Sequence, residues 1–352
     1  MSRILVGGAG GAPSNNFIRS LRESNRTDYL IGTSCVPTDL FLADVDERHV
    51  VPPAVSAEYR SSTISLLQRT RPDFLHVQND YEVRAVSRFR DEVAGLGVKT
   101  YLPDRETVEI CIDKAKSYDV WQKSGVNVPK TFLLHNESDL KKAFEQLGDK
   151  IWIRAVEGAA GQGALPTDNF DFARIWIDRF NGWGNFTAAK LLTERTVTWL
   201  SLWYEGELVV AQTRKRHSWN FGSRTLSGVT GITGVGETCS DSIVDQAALD
   251  SIYAIDKKPH GIFGVDMTYD HDGHPNTTEI NIGRFFTTHY FFTKAGLNLP
   301  EIYCNIALNN MFPTLERKIN PLPDGLIWIR GMDVEPVLIT RNELEATLGN
   351  KP

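Results

Sequence analysis

The stretch IFGVDMTYDHDGHPNTTEINIGR, residues 262–284, decides how the rest of the chain is read. Gly264, Asp266 and Thr268 alternate along its first half, and Thr277, Glu279 and Asn281 along its second, the two-residue period of a strand. Asp272-Gly273 between them signals a two-residue type I′ hairpin, whose central residues both need positive φ. Counting outward from that pair sets Asp266 opposite Glu279 and Gly264 opposite Asn281. Opposed carboxylates repel unless a cation lies between them. The all-oxygen set Asp266, Glu279 and Asn281 suits Mg²⁺, which keeps several waters and is shared with substrate phosphates. An ordinary solvated hairpin face is the bland alternative.

Around this hairpin the chain is long enough, at 352 residues, for two or three domains with sizeable cores. A composition 41% apolar and 23% charged is that of a globular protein. A net charge near −6 without a basic arm argues against nucleic-acid binding, and no apolar run reaches membrane-spanning length. Met1-Ser2-Arg3 leads straight into a strand, so no secretory leader is expected. Cys35, Cys111, Cys239 and Cys304 lack CxxC spacing, which suggests neither zinc nor a disulfide framework and fits a cytoplasmic setting.

Upstream, Arg3-Ile4-Leu5-Val6 followed by Gly7-Gly8-Ala9-Gly10-Gly11, with a helix over 15–21, reads as a βα unit of a doubly wound α/β sheet. Pro13 takes the third glycine place of a dinucleotide fingerprint, and the strand at 29–35 ends without an acid for a ribose, so a structural turn is the better reading. Residues 73–78 continue the strands and set Asn79-Asp80-Tyr81-Glu82 at a carboxyl end, where such sheets face ligands. A helix over 83–93 and a short strand over 98–102 follow.

A second run of motifs begins at Asp113-Lys114, which opens an amphipathic helix. Ile151-Trp152-Ile153-Arg154 is a strand running into Glu157-Gly158-Ala159-Ala160-Gly161-Gln162-Gly163, whose backbone N–H groups can turn inward around an anion or form a plain surface turn. The segment 198–211 is a hairpin turned by Glu205-Gly206, and it delivers Arg214, Lys215 and Arg216, with alternation pointing Arg214 and Arg216 the same way or a solvated edge absorbing all three. A glycine loop at 227–234 and a helix at 243–255 behind the metal hairpin complete this part. The aromatic run 285–292 reads as core, with Thr288 and His289 as residues that could line a cavity; beyond 315 no motif is legible.

In this order and spacing the pieces resemble the ATP-grasp superfamily, most closely the synthetase half-domain of the carbamoyl-phosphate synthase large chain. The resemblance covers roughly residues 1 to 310. It implies a Rossmann-like domain over 1–110, a lid over 111–188 and an α+β catalytic, metal-binding part over 189–352. It also implies that Lys114 and Arg154 hold ATP phosphates, that the loop with Glu157, Gly158, Gly161 and Gly163 covers them, and that Lys190, Leu191 and Leu192 form the adenine hinge, with Glu194 as the ribose acid. Asp266, Glu279 and Asn281 would bind Mg²⁺, with Mn²⁺ as an alternative ion, and Arg284 would meet the transferred phosphoryl group. The common Glu-x-Asn-Pro-Arg is here Glu279-Ile280-Asn281-Ile282-Gly283-Arg284, which moves the arginine by one place.

The activity so implied is that of an ADP-forming ligase, which converts a small-molecule carboxylate to an acyl phosphate for attack by an amine or similar nucleophile. Arg214, Arg216 and Arg284 are the candidates for gripping the carboxylate and the developing charge. A kinase-like or carbamate-forming enzyme without an amine acceptor, or a nucleotide-binding regulatory protein, are the rivals, and a homodimer fits the analogy. With a single synthetase unit and no biotin-attachment or glutaminase segment, neither a full carbamoyl-phosphate synthase nor a biotin-dependent carboxylase is expected.

Overall fold

In a computed structural model, which describes residues 1–158, 161, 163–332 and 337–343, the chain builds three sheets. The first is parallel and made from β1 (Arg3–Val6), β2 (Tyr29–Ser34), β3 (Glu47–Val50) and β4 (Phe74–His76), in the order β3-β2-β1-β4. The inner strands β1 and β2 are largely buried, the edge strand β3 (Glu-Arg-His-Val) is polar and half exposed, and the connecting helices are α1 (Ala12–Arg22), α2 (Tyr59–Thr70), α3 (Asp80–Arg88) and α4 (Arg90–Gly95). The helix expected over 83–93 is thus two, broken at Phe89, and the strand expected over 98–102 is only a bridge between Phe74 and Lys99.

Helices α5 (Arg105–Ile112) and α6 (Lys114–Lys123) lead to an antiparallel sheet with its own core. It contains β5 (Thr131–Leu134), β6 (Ile151–Ala155), β7 (Leu165–Thr167) and β8 (Phe186–Lys190), in the order β5-β8-β6-β7, backed by α7 (Glu137–Leu147) and α8 (Phe170–Arg179). The third sheet has seven strands: β9 (Thr196–Tyr204), β10 (Glu207–Trp219), β11 (Thr233–Thr238), β12 (Gly261–Tyr269), β13 (Pro275–Ile282), β14 (Leu326–Ile329) and β15 (Val337–Thr340). Their order is β13-β12-β9-β10-β11-β14-β15, so the stretch beyond 315 that carries no motif supplies an edge of this sheet. Helix α9 (Ser242–Ile255) packs behind β12 and β13, while α10 (Tyr290–Lys294) and α11 (Leu299–Asn309) pack against α1. Among the described residues no helix is long and apolar enough to cross a membrane.

The hairpin β12–β13 has the expected register where it matters, Asp266 opposite Glu279 and Gly264 opposite Asn281, but reaches it by another route. Only Gly273 has positive φ (87°), so the turn is not type I′. It closes instead around Asp270, whose carboxylate accepts from the N–H groups of Asp272 and His274 at 3.0 and 2.9 Å, with Tyr269 paired to Pro275. That would put the strands one residue out of step; a bulge at Thr278 restores the count. The carbonyl of the bulged Thr278 accepts from Arg154 Nη2 on β6 at 2.7 Å, docking the second sheet onto the edge of the third.

Candidate active site

β12 lies between β13 and β9, which places Asp266 opposite both Glu279 and Thr198. Asp266 Oδ1 accepts from Thr198 Oγ1 at 2.5 Å and Oδ2 from Asn281 Nδ2 at 2.9 Å. Cations surround the two carboxylates: Arg216 is 3.7 Å from Asp266, and Lys114 and Arg154 are 3.5 and 3.6 Å from Glu279. These separations exceed direct hydrogen-bond lengths, so Glu279 presents oxygens that the surrounding cations face without closing on them. Opposed carboxylates with an amide between them fit a hard divalent cation such as Mg²⁺. Among the described residues no group of three or more His, Cys, Asp or Glu side chains is assembled to hold a metal, which leaves this two-acid, one-amide set as the candidate.

Strand alternation sends Arg214 and Arg216 inward and leaves Lys215 exposed. Arg216 lies over the Trp219 ring at 3.7 Å and Arg214 over Phe286 at 4.8 Å. Arg214 is the unusual member. It is 1% exposed, its two terminal nitrogens donate to the hydroxyls of Thr233 (3.2 Å) and Thr198 (3.1 Å), and its Nε has no partner. Burial, with Arg216 beside it, pushes its pKa down to about 9, against the pull of Asp266. A buried cation whose only contacts are neutral is costly to keep, and an anion brought beside it is correspondingly welcome.

Most of these groups border one cavity of about 440 Å³; Arg154, bound to the Thr278 carbonyl, and Thr198 are set back from its lining. Lys114, Glu157, Gly158, Gly161, Arg214, Arg216, Asp266, Glu279, Asn281 and Arg284 all line it. Lys114 Nζ donates to the Gly158 carbonyl at 2.8 Å, and Glu157 pairs with Arg84 at 3.1 Å, so both hold the glycine loop in place. Gly161 approaches the second glycine loop so closely that a Cβ there would meet the Val229 carbonyl at 2.9 Å. Ala159, Ala160 and Gln162 of the expected loop lie outside the described residues.

Other expected members sit elsewhere. Gly163 faces the core of the second sheet, where a Cβ would strike Phe186 at 2.8 Å and its carbonyl accepts from Trp176. Lys190, Leu191, Leu192 and Glu194 form the crossing from β8 to β9 and do not border the cavity. Thr288 and His289 are fully buried; the aromatic run instead offers Phe286 and Thr287 to the cavity.

The first sheet also contributes, through Ala12, Pro13, Gln78, Asn79, Asp80, Tyr81 and Arg84. Asp80 pairs with Arg284, and burial of that guanidinium is outweighed by this carboxylate, so its pKa rises. The glycine turn of β1–α1 is itself occupied by protein: the Glu82 carboxyl fills it so fully that a Cβ on Gly7 would meet Oε2 at 2.5 Å. Thr198, Thr233 and Trp219 are not legible as site residues: Thr198 meets Arg214 by cross-strand pairing, and Trp219, out of step with Arg214 and Arg216 by parity, is brought to Thr233 by register shifts between Arg216 and Trp219.

No protein-family profile matches the chain, and no curated protein matches it in sequence. Solved structures do. The biotin carboxylase domain of Hydrogenobacter thermophilus 2-oxoglutarate carboxylase, in complex with MgADP, ADP and bicarbonate, aligns over 94% of this chain and 74% of its own at 15% identity, with a TM-score of 0.71. Carboxyaminoimidazole ribonucleotide synthase from Aspergillus clavatus, complexed with ATP, covers 93% and 81% at 18% identity and a TM-score of 0.69. L-amino acid ligase from Bacillus licheniformis covers 93% and 79% at 13% identity and a TM-score of 0.67. The finer likeness to the carbamoyl-phosphate synthase half-domain is only loose. What these alignments share with the chain, from the first parallel sheet to the seven-stranded one, is the ATP-grasp fold.

Proposed function

We propose that this protein is an ATP-dependent, ADP-forming ligase that activates a small-molecule carboxylate as an acyl phosphate and joins it to an amine or similar nucleophile. The observation that carries the reading is the cavity wall: two opposed carboxylates faced by Lys114 and Arg216, with Arg154 behind Glu279, beside a buried Arg214 whose terminal nitrogens bond threonine hydroxyls. ATP-grasp neighbours solved with ATP or MgADP support the choice of nucleotide.

In this reading Arg214 seats the substrate carboxylate. A carboxylate oxygen attacks the γ-phosphorus, the bond to the β–γ bridging oxygen breaks, and ADP leaves. The amine nitrogen then attacks the acyl carbon, phosphate departs and the nitrogen loses its proton. Lys114, Arg154 and the backbone at Gly158 and Gly161 hold phosphates, and the adenine and ribose extend past the cavity, where the resemblance assigns them to Lys190, Leu191, Leu192 and Glu194. Arg216 and Arg284 meet the charge on the transferred group. Asp266, Glu279 and Asn281 would hold Mg²⁺, which when bound neutralises charge on the phosphates. No side-chain nucleophile is needed, since positioning and electrostatics supply the chemistry.

The test is magnesium-dependent ADP release from ATP with pools of amino acids and other small carboxylates, each with and without an added amine. ADP that requires both a carboxylate and an amine establishes the ligase. ADP with the carboxylate alone moves the assignment to a phosphorylating enzyme, and Mg·ADP binding without turnover on any pool moves it to a nucleotide-binding protein.

A further inference from the structure

Arg284 is held from outside its own hairpin. Its Nε and Nη2 donate to Oδ1 and Oδ2 of Asp80 at 2.5 and 3.0 Å, a two-point clasp, and Nη2 donates also to Asn281 Oδ1 at 2.6 Å. Asp80 lies 204 residues earlier in the chain, at the first position of α3 and the carboxyl end of β4. The residue after Arg284 is clasped by the same corner. Gln78 Nε2 donates to the Phe285 carbonyl and Gln78 Oε1 accepts from the Phe285 N–H, both at 3.2 Å.

The direction of that amide is fixed as well. His76 is fully buried, and burial pushes its pKa down to about 3, so the ring is neutral and its Nε2–H donates to Gln78 Oε1 at 2.7 Å. Reversing the amide would set donor against donor and acceptor against acceptor at Phe285. One residue beyond Asp80's neighbour, α3 is pinned by a reciprocal cap: Asn79 Oδ1 accepts from Glu82 N–H at 2.9 Å while Asn79 Nδ2 donates to Glu82 Oε2 at 2.7 Å. Asp80 therefore stands on a rigid support, and both of its oxygens are spent on one guanidinium.

We infer that Asp80 is a positioning residue that aims Arg284 at the transferred phosphoryl group, so that the β4–α3 corner of the first sheet joins the seven-stranded sheet in forming the catalytic centre. The inference rests on the ligase reading. Without Asp80 the guanidinium keeps its bond to Asn281 and turns toward Asp266 and Glu279, the two other carboxylates whose charge it feels. A merely structural ion pair would lower folding stability, nucleotide affinity and turnover together. A positioning role separates them.

The experiment uses the full chain and Asp80→Asn, which keeps the size but removes the charge and turns one acceptor into a donor. With the substrates that support turnover, kcat for ADP release falls roughly 10²-fold, the usual cost of misplacing a reacting group, while KM for ATP stays within about twofold. Asp80→Glu restores part of the loss. A substrate-free arm uses Mg²⁺, ADP and fluoroaluminate, a mimic of the phosphoryl group in transit: the wild type binds ADP more tightly when fluoroaluminate is present, and Asp80→Asn loses that increment but binds Mg·ADP unchanged. Wild-type kcat and a wild-type increment in Asp80→Asn overturn the inference, as does a variant that loses Mg·ADP affinity in the same proportion as turnover. A wild type that binds no Mg·ADP removes the ligase reading and this inference together, whereas a wild type that turns over beside an equally active variant removes the inference alone.

Discussion

Asp266 and Glu279 on the β12–β13 hairpin, and Glu82 behind the first glycine turn, are all acids turned into the molecule, yet they reach opposite states. Glu82 is 5% exposed and meets neutral donors: Tyr59 Oη at 3.3 Å, Asn79 Nδ2 at 2.7 Å and the backbone N–H groups of Gln78 and Gly8. Burial outweighs those bonds and pushes its pKa up to about 7. Asp266 and Glu279 face cations at 3.5 to 3.7 Å and open onto a cavity. The pair shows that an inward-turned acid is informative only with its counter-charges. Neutral donors make a plug, and cations held just out of reach make a seat for something else.

The largest expected effect breaks the comparison directly. Glu279→Gln should reduce magnesium-dependent ADP release by roughly 10³-fold or more, since one preorganised charge at the transferring group is worth that much. Glu82→Gln should leave the same rate within about threefold, because its partners are neutral and its position lies behind the turn. Steady-state kinetics on the two variants decides it; equal losses would mean that the two acid sites are not distinct in kind.

Arg214→Met sharpens the contrast from the cationic side. Losing charge-assisted hydrogen bonds of about 2 kcal/mol should raise KM for the carboxylate roughly 30-fold. Folding stability should stay level or rise, because a buried charge without a carboxylate partner is replaced by an apolar chain of similar length. A chemical denaturation curve beside the kinetics reads both. A variant that lost stability in step with KM would show that Arg214 is structural.

Glu82 carries its own pH signature. Its folded pKa lies above its ordinary value of 4.5, so the folded state holds the proton more tightly than the unfolded chain. The resulting stability is complete below pH 4.5 and is lost as pH rises through 7, a decline on the order of 3 kcal/mol. Glu82→Gln should flatten that decline, and denaturation midpoints between pH 4.5 and 7.5 measure it.

Much of the site was legible because it lies on strands, where a period of two reports direction. The inward turn of Arg214 and Arg216 follows from alternation, as does the shared face of Glu279 and Asn281, whereas the meeting of Asp266 with Glu279 also needs the register. What alternation cannot report is which element comes up from far away. The clasp of Asp80 on Arg284 spans 204 residues, and the spacing of neither shows it. Gly163 shows the same limit: composition puts it in a loop that can turn its N–H groups around an anion, but cannot show that its neighbour is Phe186. The last two strands, β14 and the edge strand β15, are invisible in the sequence because short strands beyond the last motif have no polar pattern to mark a face.

The hairpin turn gives the smallest effect and the subtlest lesson. Its register was inferred from an Asp272-Gly273 turn that is not formed, and it came out right because the Thr278 bulge compensates for the longer loop. If the turn set the register, straining it would disturb Asp266 and Glu279. The structure assigns the register instead to interior contacts: β12 is paired along its whole length to β9, and the bulged carbonyl is held by Arg154. Gly273 has positive φ and open space around it, so Gly273→Ala should cost about 1 kcal/mol of backbone strain and nothing else. A lowered melting temperature with unaltered ADP-release kinetics and unaltered magnesium dependence is the expected result. A shift in magnesium dependence would mean that the turn, and not the bulge, keeps the two carboxylates opposed.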